Sequence, residues 1–231
     1  DFYAPVAGSF KVDPRRTNEP GLDVLRAMVQ PGETWLDIGA GAGRYALPLP
    51  LAGASVIAPD PSKAMLAGLR EAMTEFEVGG ITAIEARWPT EDPPVADVAF
   101  IAHVSYDIAE IGPFLDAMEA SARRMCVAVL LSEAPATAAA GLWPAVHGEP
   151  RDLLPALPEF LALLLARGQL FNVWLGERGA MGYPSLEAIE GFSRQQLFIE
   201  PDGPGARRLH EVLPALAYER DGRYYLSDRP T

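Results

Sequence analysis

Short apolar segments alternate with longer amphipathic segments through the first half of the chain. The short segments are predicted to be strands, at Thr34–Ile38, Ser55–Ala58, Ile81–Glu85, Asp97–Ala102 and Met125–Leu131. The longer ones are predicted to be helices, at Leu22–Val29, Arg44–Leu51, Ser62–Met73 with Ser62 as the cap, and Pro113–Ala122. This alternation is typical of parallel β-α units. The pattern therefore predicts an α/β fold with a doubly wound, mostly parallel sheet and helices on both faces.

The pattern loosens after the fifth predicted strand. It predicts a Pro- and Ala-rich loop over Glu133–Pro150, a helix around Phe160–Ala166, a sixth strand at Leu170–Leu175, helices near Leu186–Leu197 and Ala206–Ala217, and a short strand at Arg223–Leu226. We expect one domain over residues 1–231, with a lid and first helix in 1–30 and cap or substrate segments in 133–168 and 185–220. Extra helices near the C-terminus thus follow the sheet.

Two prolines, Pro48 and Pro50, fall within or at the end of the helix predicted over Arg44–Leu51. Proline has no amide hydrogen to donate and its ring clashes with the preceding helical turn. We therefore expect this helix to be short or kinked.

Three glycines stand at alternate positions where the first strand passes into the following helix. They are Gly39, Gly41 and Gly43, and each lacks the Cβ that would keep a ligand away from the backbone. The dinucleotide-binding fingerprint needs a glycine at the position of Arg44, so the spacing here is G-x-G-x-G rather than G-x-G-x-x-G. The turn predicts a ligand site of another kind.

Two carboxylates accompany this turn. Asp37 precedes it at the strand end, where a negative charge suits a cationic group better than a pyrophosphate. Asp60 follows about twenty residues later at the end of the second strand, where a carboxylate can accept hydrogen bonds from both ribose hydroxyls. The two spacings reinforce each other.

These two segments, LDIGAGAG and VIAPDPSKAML, resemble the first two motifs of class I S-adenosylmethionine (SAM)-dependent methyltransferases. The resemblance implies SAM as cofactor, with the glycine turn beneath its amino-acid portion and Asp60 on the ribose. Asp37 would orient the amino group directly or through water. Met65 would pack on the adenine, although a helical methionine is more often part of the core. The implied cofactor-binding set is Asp37, Gly39, Ala40, Gly41, Gly43, Asp60, Pro61, Met65, Arg87, Trp88, Ala102 and His103.

The adenine contacts are less clear after the third strand, which continues as EARWPT. Many members of the family carry an acidic residue where this chain has Arg87. Adenine recognition could instead use a backbone amide, stacking on Trp88, or the carboxylate of Glu85 or Glu91. Trp88 could equally be a core residue.

The end of the fourth strand, IAHVSYD, resembles the family segment that passes beside the methyl-donor sulfur, so the resemblance places Ala102 and His103 there. A general base is needed only when the methyl acceptor carries a proton of high pKa. His103 is the best-placed candidate base, and a hydrogen-bonded structural role is the alternative. The further candidates are Tyr106, Asp107, His147 and Glu149.

Three segments are candidates for selecting the substrate, because loops usually do so in α/β enzymes. They are FYAPVAGSF at the amino end, LWPAVHGEPR after the fifth strand, and the helices from Ser185 onward. Their mixture of apolar and polar residues suits a small organic acceptor, although they could also be packing segments or a homodimer surface. Tyr224–Thr231 is too short and polar to fill the place of the family's seventh strand, so the chain is truncated there or this edge differs.

Composition and charge exclude several classes of binding partner. A formal net charge of −12 repels a phosphate backbone, so no nucleic-acid partner is expected. The one cysteine, Cys126, rules out an internal disulfide and a cysteine-based metal cluster, and we expect no metal site. No apolar run approaches membrane-spanning length and no secretory signal is recognisable, which favours a cytoplasmic setting without membrane contact. Abundant arginine, alanine and proline suggest a bacterial source.

The sequence therefore predicts a SAM-dependent methyltransferase acting on a small molecule that these residues do not identify. A non-catalytic SAM-sensing or partner-binding protein with the same fold is the main alternative, because the adenine carboxylate is missing. A nicotinamide-dependent oxidoreductase with a degenerate glycine loop is a further alternative.

Overall fold

A computed structural model of the chain describes residues 10–176, 182–200 and 202–226. The chain divides into two compact units. The first unit comprises residues 1–130 and 174–177, and the second comprises residues 131–173 and 178–231. The assignment of all residues to one domain stays a prediction, and the segment 1–9 of the predicted lid lies outside the described residues.

The first unit contains a five-stranded, entirely parallel sheet in the order β3-β2-β1-β4-β5. Its strands are β1 (Thr34–Ile38), β2 (Ser55–Asp60), β3 (Ile81–Glu85), β4 (Ala96–Ala102) and β5 (Ala122–Val129). Its helices are α1 (Pro20–Met28), α2 (Pro48–Leu51), α3 (Lys63–Glu75) and α4 (Ile111–Ala120). The predicted doubly wound α/β fold is confirmed.

Both faces of the central strands are covered. In β4, the consecutive residues 98–101 are all fully buried, which requires packing on each side of the sheet. Trp35 of β1 packs edge-on against Phe100 of β4, with ring centroids 5.7 Å apart. The parallel register sets Asp37 beside Phe100, so the carboxyl ends of β1 and β4 meet at one edge of the sheet.

Two predictions about individual helices are confirmed. The helix predicted over Arg44–Leu51 is regular only from Pro48, which confirms that it is short. Helix α3 begins where expected, because the Ser62 hydroxyl accepts the amide of Met65 at 3.1 Å and so caps the first turn.

The second unit is mainly helical. It contains a 3-10 helix (Pro135–Leu142), α5 (Trp143–His147), α6 (Leu157–Ala166), α7 (Leu186–Gln196), α8 (Pro204–Leu216) and an antiparallel hairpin of β6 (Ala217–Arg220) and β7 (Arg223–Leu226). The predicted C-terminal helices and final strand are confirmed. Leu142, Ile189, Leu209 and Leu213 form the centre of its core.

Two predictions for the later part of the chain were wrong. The segment 133–150 is not simply loop, because its alanine-rich stretch forms helical turns from Pro135 to His147. The stretch Leu170–Leu175 is not a strand, and Leu170 is fully exposed. A strand-like composition does not by itself supply a neighbouring strand to pair with.

Helix α6 stands out because nine of its ten residues, LPEFLALLLA, are apolar when proline is counted, yet none of them is buried. None of the helices in the described ranges is long and apolar enough to cross a membrane.

Candidate functional site

The glycine turn after β1 has one open position. All three glycines have positive φ: Gly39 at 76°, Gly41 at 56° and Gly43 at 86°. A Cβ at Gly43 would lie 2.4 Å from Leu69 Cδ1, and a Cβ at Gly39 would lie 2.8 Å from Val104 Cγ2. A Cβ at Gly41 would meet nothing closer than a methionine methyl at 3.9 Å. The outer glycines therefore serve packing, and Gly41 is where a ligand can lie on bare backbone.

Four of the five amides of this turn, residues 39–43, have protein acceptors. Gly39 and Ala40 donate to the carbonyl of Pro59, at 2.9 and 3.4 Å. The Gly43 amide donates to the carbonyl of Ala40 at 3.0 Å, and Gly41 donates to a carboxylate described below. The following helix, α2, has only four residues. A pyrophosphate needs free amides and a helix N-terminus. The turn therefore lacks the features of a dinucleotide site, which weakens the oxidoreductase alternative.

Asp60 ties the turn to the end of β2. One carboxylate oxygen accepts the Gly41 amide and the other accepts the Ser62 amide, both at 2.8 Å. Burial raises the pKa of Asp60, and these two hydrogen bonds partly offset that effect. A carboxylate has about four acceptor positions, so Asp60 keeps capacity for further donors.

Asp37 lies in β1 one residue before the strand ends, and its side chain is 2% exposed. Burial raises its pKa well above the usual range, and the negative charge of Asp60 raises it further. Two buried carboxylates that repel each other favour either a proton or a cationic group between them. This part of the site can therefore hold a positively charged ligand group.

The segment after β4 brings His103 beside two phenols. Its Nε2 lies 3.2 Å from the Tyr45 hydroxyl, and its Nδ1 lies 3.4 Å from the Tyr106 hydroxyl. His103 and Ser105 have φ of 57° and 98°, in the left-handed region that non-glycine residues rarely adopt. Such strain persists where the surrounding structure imposes it, often at functional sites.

Val104 packs on Gly39, so this segment lies directly against the glycine turn. Tyr45 was not singled out in the sequence. Its only signal was its position two residues after the last glycine of the motif.

An ion cluster at the start of α1 was also missed. Glu19 contacts Arg16 at 2.7 Å and Arg44 at 3.0 Å, and Arg16 also donates to the backbone carbonyl of Arg44. Burial alone would raise the pKa of Glu19, but hydrogen bonds and charge from the two arginines lower it to about 2. This cluster fixes the described part of the amino-terminal segment to the residue that follows the glycine turn.

The residues after β3 differ in their exposure and in their contacts. Arg87 is exposed. Trp88 is half-buried, and its indole nitrogen donates to the carbonyl of Phe114 at 3.2 Å. Glu85 is paired with Lys63 at 3.6 Å. The role of each residue stays a prediction.

The remaining predicted residues separate into two groups. In the first unit, Met65 and Ala40 are buried at the turn, Ala102 is half-buried, and Pro61 and Asp107 are exposed. In the second unit, His147 Nε2 lies 3.0 Å from the carbonyl of Leu197, its ring packs at a tilt against Trp143, and Glu149 is exposed.

Comparison with known families identifies part of the chain. Residues 36–125 match the family described as "Methyltransferase domain", which confirms the resemblance. An uncharacterised protein of Haemophilus influenzae is 40% identical over 78 residues, a match that covers 32% of this chain and 29% of that protein. The chain thus aligns with less than a third of this relative's length.

Solved structures of other proteins are similar to parts of this chain. Magnesium protoporphyrin IX methyltransferase of Synechocystis PCC 6803 with bound SAH is 19% identical, with a TM-score of 0.54 over 73% of this chain and 86% of that one. TehB from Haemophilus influenzae is 19% identical, with a TM-score of 0.40 over 46% of this chain and 37% of that one. The first of these supports the class I fold.

Proposed function

We propose that this chain, whose residues 36–125 match the methyltransferase family, transfers a methyl group from SAM to a small-molecule acceptor. One observation carries the proposal: the amide of the open glycine, Gly41, is held at 2.8 Å by the buried carboxylate of Asp60. The ligand surface and its acidic partner therefore form a single rigid unit.

The residues present suit SAM in charge and shape. The open space at Gly41 would accommodate the ligand's amino-acid portion, and the spare acceptor capacity of Asp60 suits two ribose hydroxyls. Asp37 would face the ammonium group, whose charge would relieve the repulsion between the two buried carboxylates. Met65 lies close enough to Gly41 to cover the ligand from the side of α3.

SAM supplies an electrophilic methyl group when bound, and the protein's task is mainly to hold donor and acceptor at reacting distance. We assign Ala102 and His103 to the wall beside the donor sulfur. His103 is the base for an acceptor that must lose a proton, and Tyr106 supports it. The strained backbone at His103 and Ser105 supports this assignment.

The acceptor is assigned to small molecules because a net charge of −12 disfavours nucleic acid. A cytoplasmic, bacterial setting is proposed on the same sequence arguments as above, and a homodimer stays an alternative use of the later segments.

Calorimetry with S-adenosylhomocysteine tests the cofactor assignment. We expect micromolar or tighter binding, on the order of −8 kcal/mol. Asp60→Asn should weaken it at least about tenfold, because the amide offers fewer acceptor positions to the ribose. Glu71→Gln, an equivalent change on the exposed face of α3, should leave binding unchanged. Absence of binding by the folded protein would refute the proposal.

A second measurement separates the alternatives. SAM is supplied with a panel of hydroxyl and amine acceptors, and release of S-adenosylhomocysteine is followed. Turnover supports the enzyme, whereas tight binding with no turnover across the panel favours the SAM-sensing alternative. Thermal stabilisation by NAD(H) or NADP(H) instead of S-adenosylhomocysteine would favour an oxidoreductase.

A further inference from the structure

Trp174 differs from the other three tryptophans of the chain in its surroundings. Trp35 is fully buried, and Trp88 is half-buried with its indole nitrogen donating to a backbone carbonyl at 3.2 Å. Trp143 lies under the guanidinium of Arg151, whose central carbon is 4.5 Å from the centre of the ring. These three side chains therefore have structural roles. Trp174, in contrast, is 61% exposed.

The segment that carries Trp174 is placed by a contact two residues later. Residues 174–177 belong to the first unit. A Cβ added at Gly176 would lie 2.6 Å from the Cβ of Pro20, so the backbone of Gly176 packs on the first residue of α1. Two residues of chain span at most about 7 Å, and Trp174 therefore lies near the start of α1.

The start of α1 lies at the same edge of the sheet as the candidate base. A Cβ added at Gly21 would be 3.3 Å from Val129 Cγ1, at the end of β5. The carbonyl of Val129 accepts the amide of His103 at 2.8 Å. The contacts that lead from the segment of Trp174 to His103 thus pass only through the first turn of α1 and the last residue of β5.

The chemistry of this segment favours a flat apolar ligand. An exposed indole offers a ring face for stacking, and aromatic pairs are stabilised beyond the burial of their area. Leu175 is 84% exposed and extends the apolar surface without adding a polar group. A stable dimer buries about 800 Å² on each partner, whereas one aromatic side chain buries about 150–250 Å². Trp174 and Leu175 therefore match a small aromatic molecule better than a second copy of the chain.

We propose that Trp174, with Leu175 beside it, selects a methyl acceptor whose hydroxyl or amine is carried on an uncharged aromatic ring. The ring stacks on the indole, and the group to be methylated faces His103. A net charge of −12 disfavours an anionic acceptor at the same surface. This inference rests on the proposed function and deepens it, because the acceptor is assigned to the side of His103.

Nuclear magnetic resonance of the full chain tests the assignment through the indole N–H signals of the four tryptophans. A Trp174→Phe variant identifies the signal of Trp174. The probes are 2-naphthol and its saturated, non-planar counterpart decahydro-2-naphthol, each titrated with and without S-adenosylhomocysteine. We expect 2-naphthol to shift the Trp174 signal and to bind at least about threefold more tightly than the saturated alcohol, because only the flat ring can stack.

Substitutions at Trp174 should change the affinity for the aromatic probe. Trp174→Ala should weaken 2-naphthol binding at least about fivefold, because the stacking surface is lost, and Trp174→Phe should retain most of the affinity. Leu51→Ala is the matched control and should leave binding unchanged. It removes another exposed apolar side chain of the first unit, at the end of α2 and close to where β2 begins. Calorimetry with 2-naphthol measures each affinity.

Three results would overturn the assignment: equal binding of the two probes, 2-naphthol binding that leaves the Trp174 signal unmoved, or unchanged affinity in Trp174→Ala. A Trp174 signal that moves with protein concentration in the absence of a probe would also overturn it, because a second copy would then cover this surface.

Binding of S-adenosylhomocysteine, measured separately, distinguishes this inference from the proposed function. Selective stacking of 2-naphthol in a protein that does not bind S-adenosylhomocysteine would refute the proposed function and leave the aromatic site in place. Tight binding of S-adenosylhomocysteine without selection between the two probes would support the cofactor assignment and refute the role of Trp174.

Discussion

The amide of Gly41 and the carboxylate of Asp60 are joined by a 2.8 Å hydrogen bond, although the two residues belong to different β-α units. The second oxygen of the carboxylate accepts the Ser62 amide at the same distance. The acidic residue is therefore part of the turn's own structure as well as a candidate ligand contact.

Asp60→Ala should lower the free energy of unfolding by about 1 to 3 kcal/mol, because two amides lose their acceptor, while relief of a buried charge offsets part of the loss. Urea denaturation measures this change. Glu71→Ala, on the exposed face of α3, should stay within about 0.5 kcal/mol of the native chain. An Asp60→Ala variant as stable as the native chain would show that the two hydrogen bonds do not support the turn.

Substitutions at Gly43 and Gly41 should separate stability from binding. Gly43→Ala should destabilise by about 2 kcal/mol or more, because its Cβ would lie 2.4 Å from Leu69 Cδ1 at a positive φ. Gly41→Ala should cost only the strain of its left-handed φ, about 1 to 2 kcal/mol, because its Cβ meets no close neighbour.

The order of the two variants should be reversed for ligand binding, with the larger loss at Gly41→Ala. Gly41→Ala should weaken S-adenosylhomocysteine binding at least about tenfold, because its methyl group fills the space assigned to the ligand. Thermal unfolding and calorimetry on both variants check this contrast. Unchanged affinity in a folded Gly41→Ala protein would mean that the ligand does not lie on this glycine.

Asp37 should make stability fall as pH rises. Its pKa is raised in the folded state by burial and then by Asp60, so the folded chain holds the proton more tightly than the unfolded chain. Above the unfolded pKa of about 3.9, each rise in pH therefore favours unfolding until the folded pKa is passed. Asp37→Asn removes this effect and should be more stable than the native chain at pH 7, by an amount that shrinks towards pH 4. Denaturation midpoints at several pH values report the stability of Asp37→Asn relative to the native chain. A relative stability that is lower at pH 7 than at pH 4 would contradict the assignment.

Glu19 should have the opposite effect on how stability depends on pH. Its pKa is lowered to about 2, because its contacts with Arg16 and Arg44 outweigh the effect of burial. Its contribution to stability is present above the unfolded pKa and is lost as pH falls towards about 2. The native chain should thus lose its advantage over Glu19→Gln on acidification below about pH 4.5. Glu75→Gln, whose partner Lys11 is partly exposed, serves as the control. An unchanged difference across this range would show that the cluster does not hold Glu19 ionised.

The sheet could be predicted because its signals are local. Strands β1 and β3 have the predicted bounds, since each is an apolar run closed by a turn. β2 extends through Pro59 to Asp60, beyond the predicted end, because it stays paired with β3 as far as Asp60 and Glu85. β5 begins earlier than predicted, at Ala122, where Arg123 and Arg124 lie exposed at its amino end. Such shifts depend on contacts with neighbouring strands.

Only those residues of the candidate site that belong to a sequence motif could be predicted. Asp37, Gly41 and Asp60 follow from spacing along the chain, and the structure brings them together. Tyr45 and Glu19 could not be singled out, because their contacts with His103 and Arg44 join residues far apart in the sequence. The strand expected at Leu170–Leu175 failed for the same reason: pairing is a property of the neighbour as much as of the segment.

The inward-turned amides of the glycine turn also limit how this protein could change its ligand. Arg44→Gly would create the G-x-G-x-x-G spacing of the dinucleotide-binding fingerprint, with glycines at 39, 41 and 44. The amides of Gly39, Ala40, Gly41 and Gly43 would still be committed to Pro59, Asp60 and Ala40. Redesign towards a pyrophosphate ligand would have to release these donors first, so a change of cofactor requires rebuilding the backbone around β2 and not merely moving a glycine.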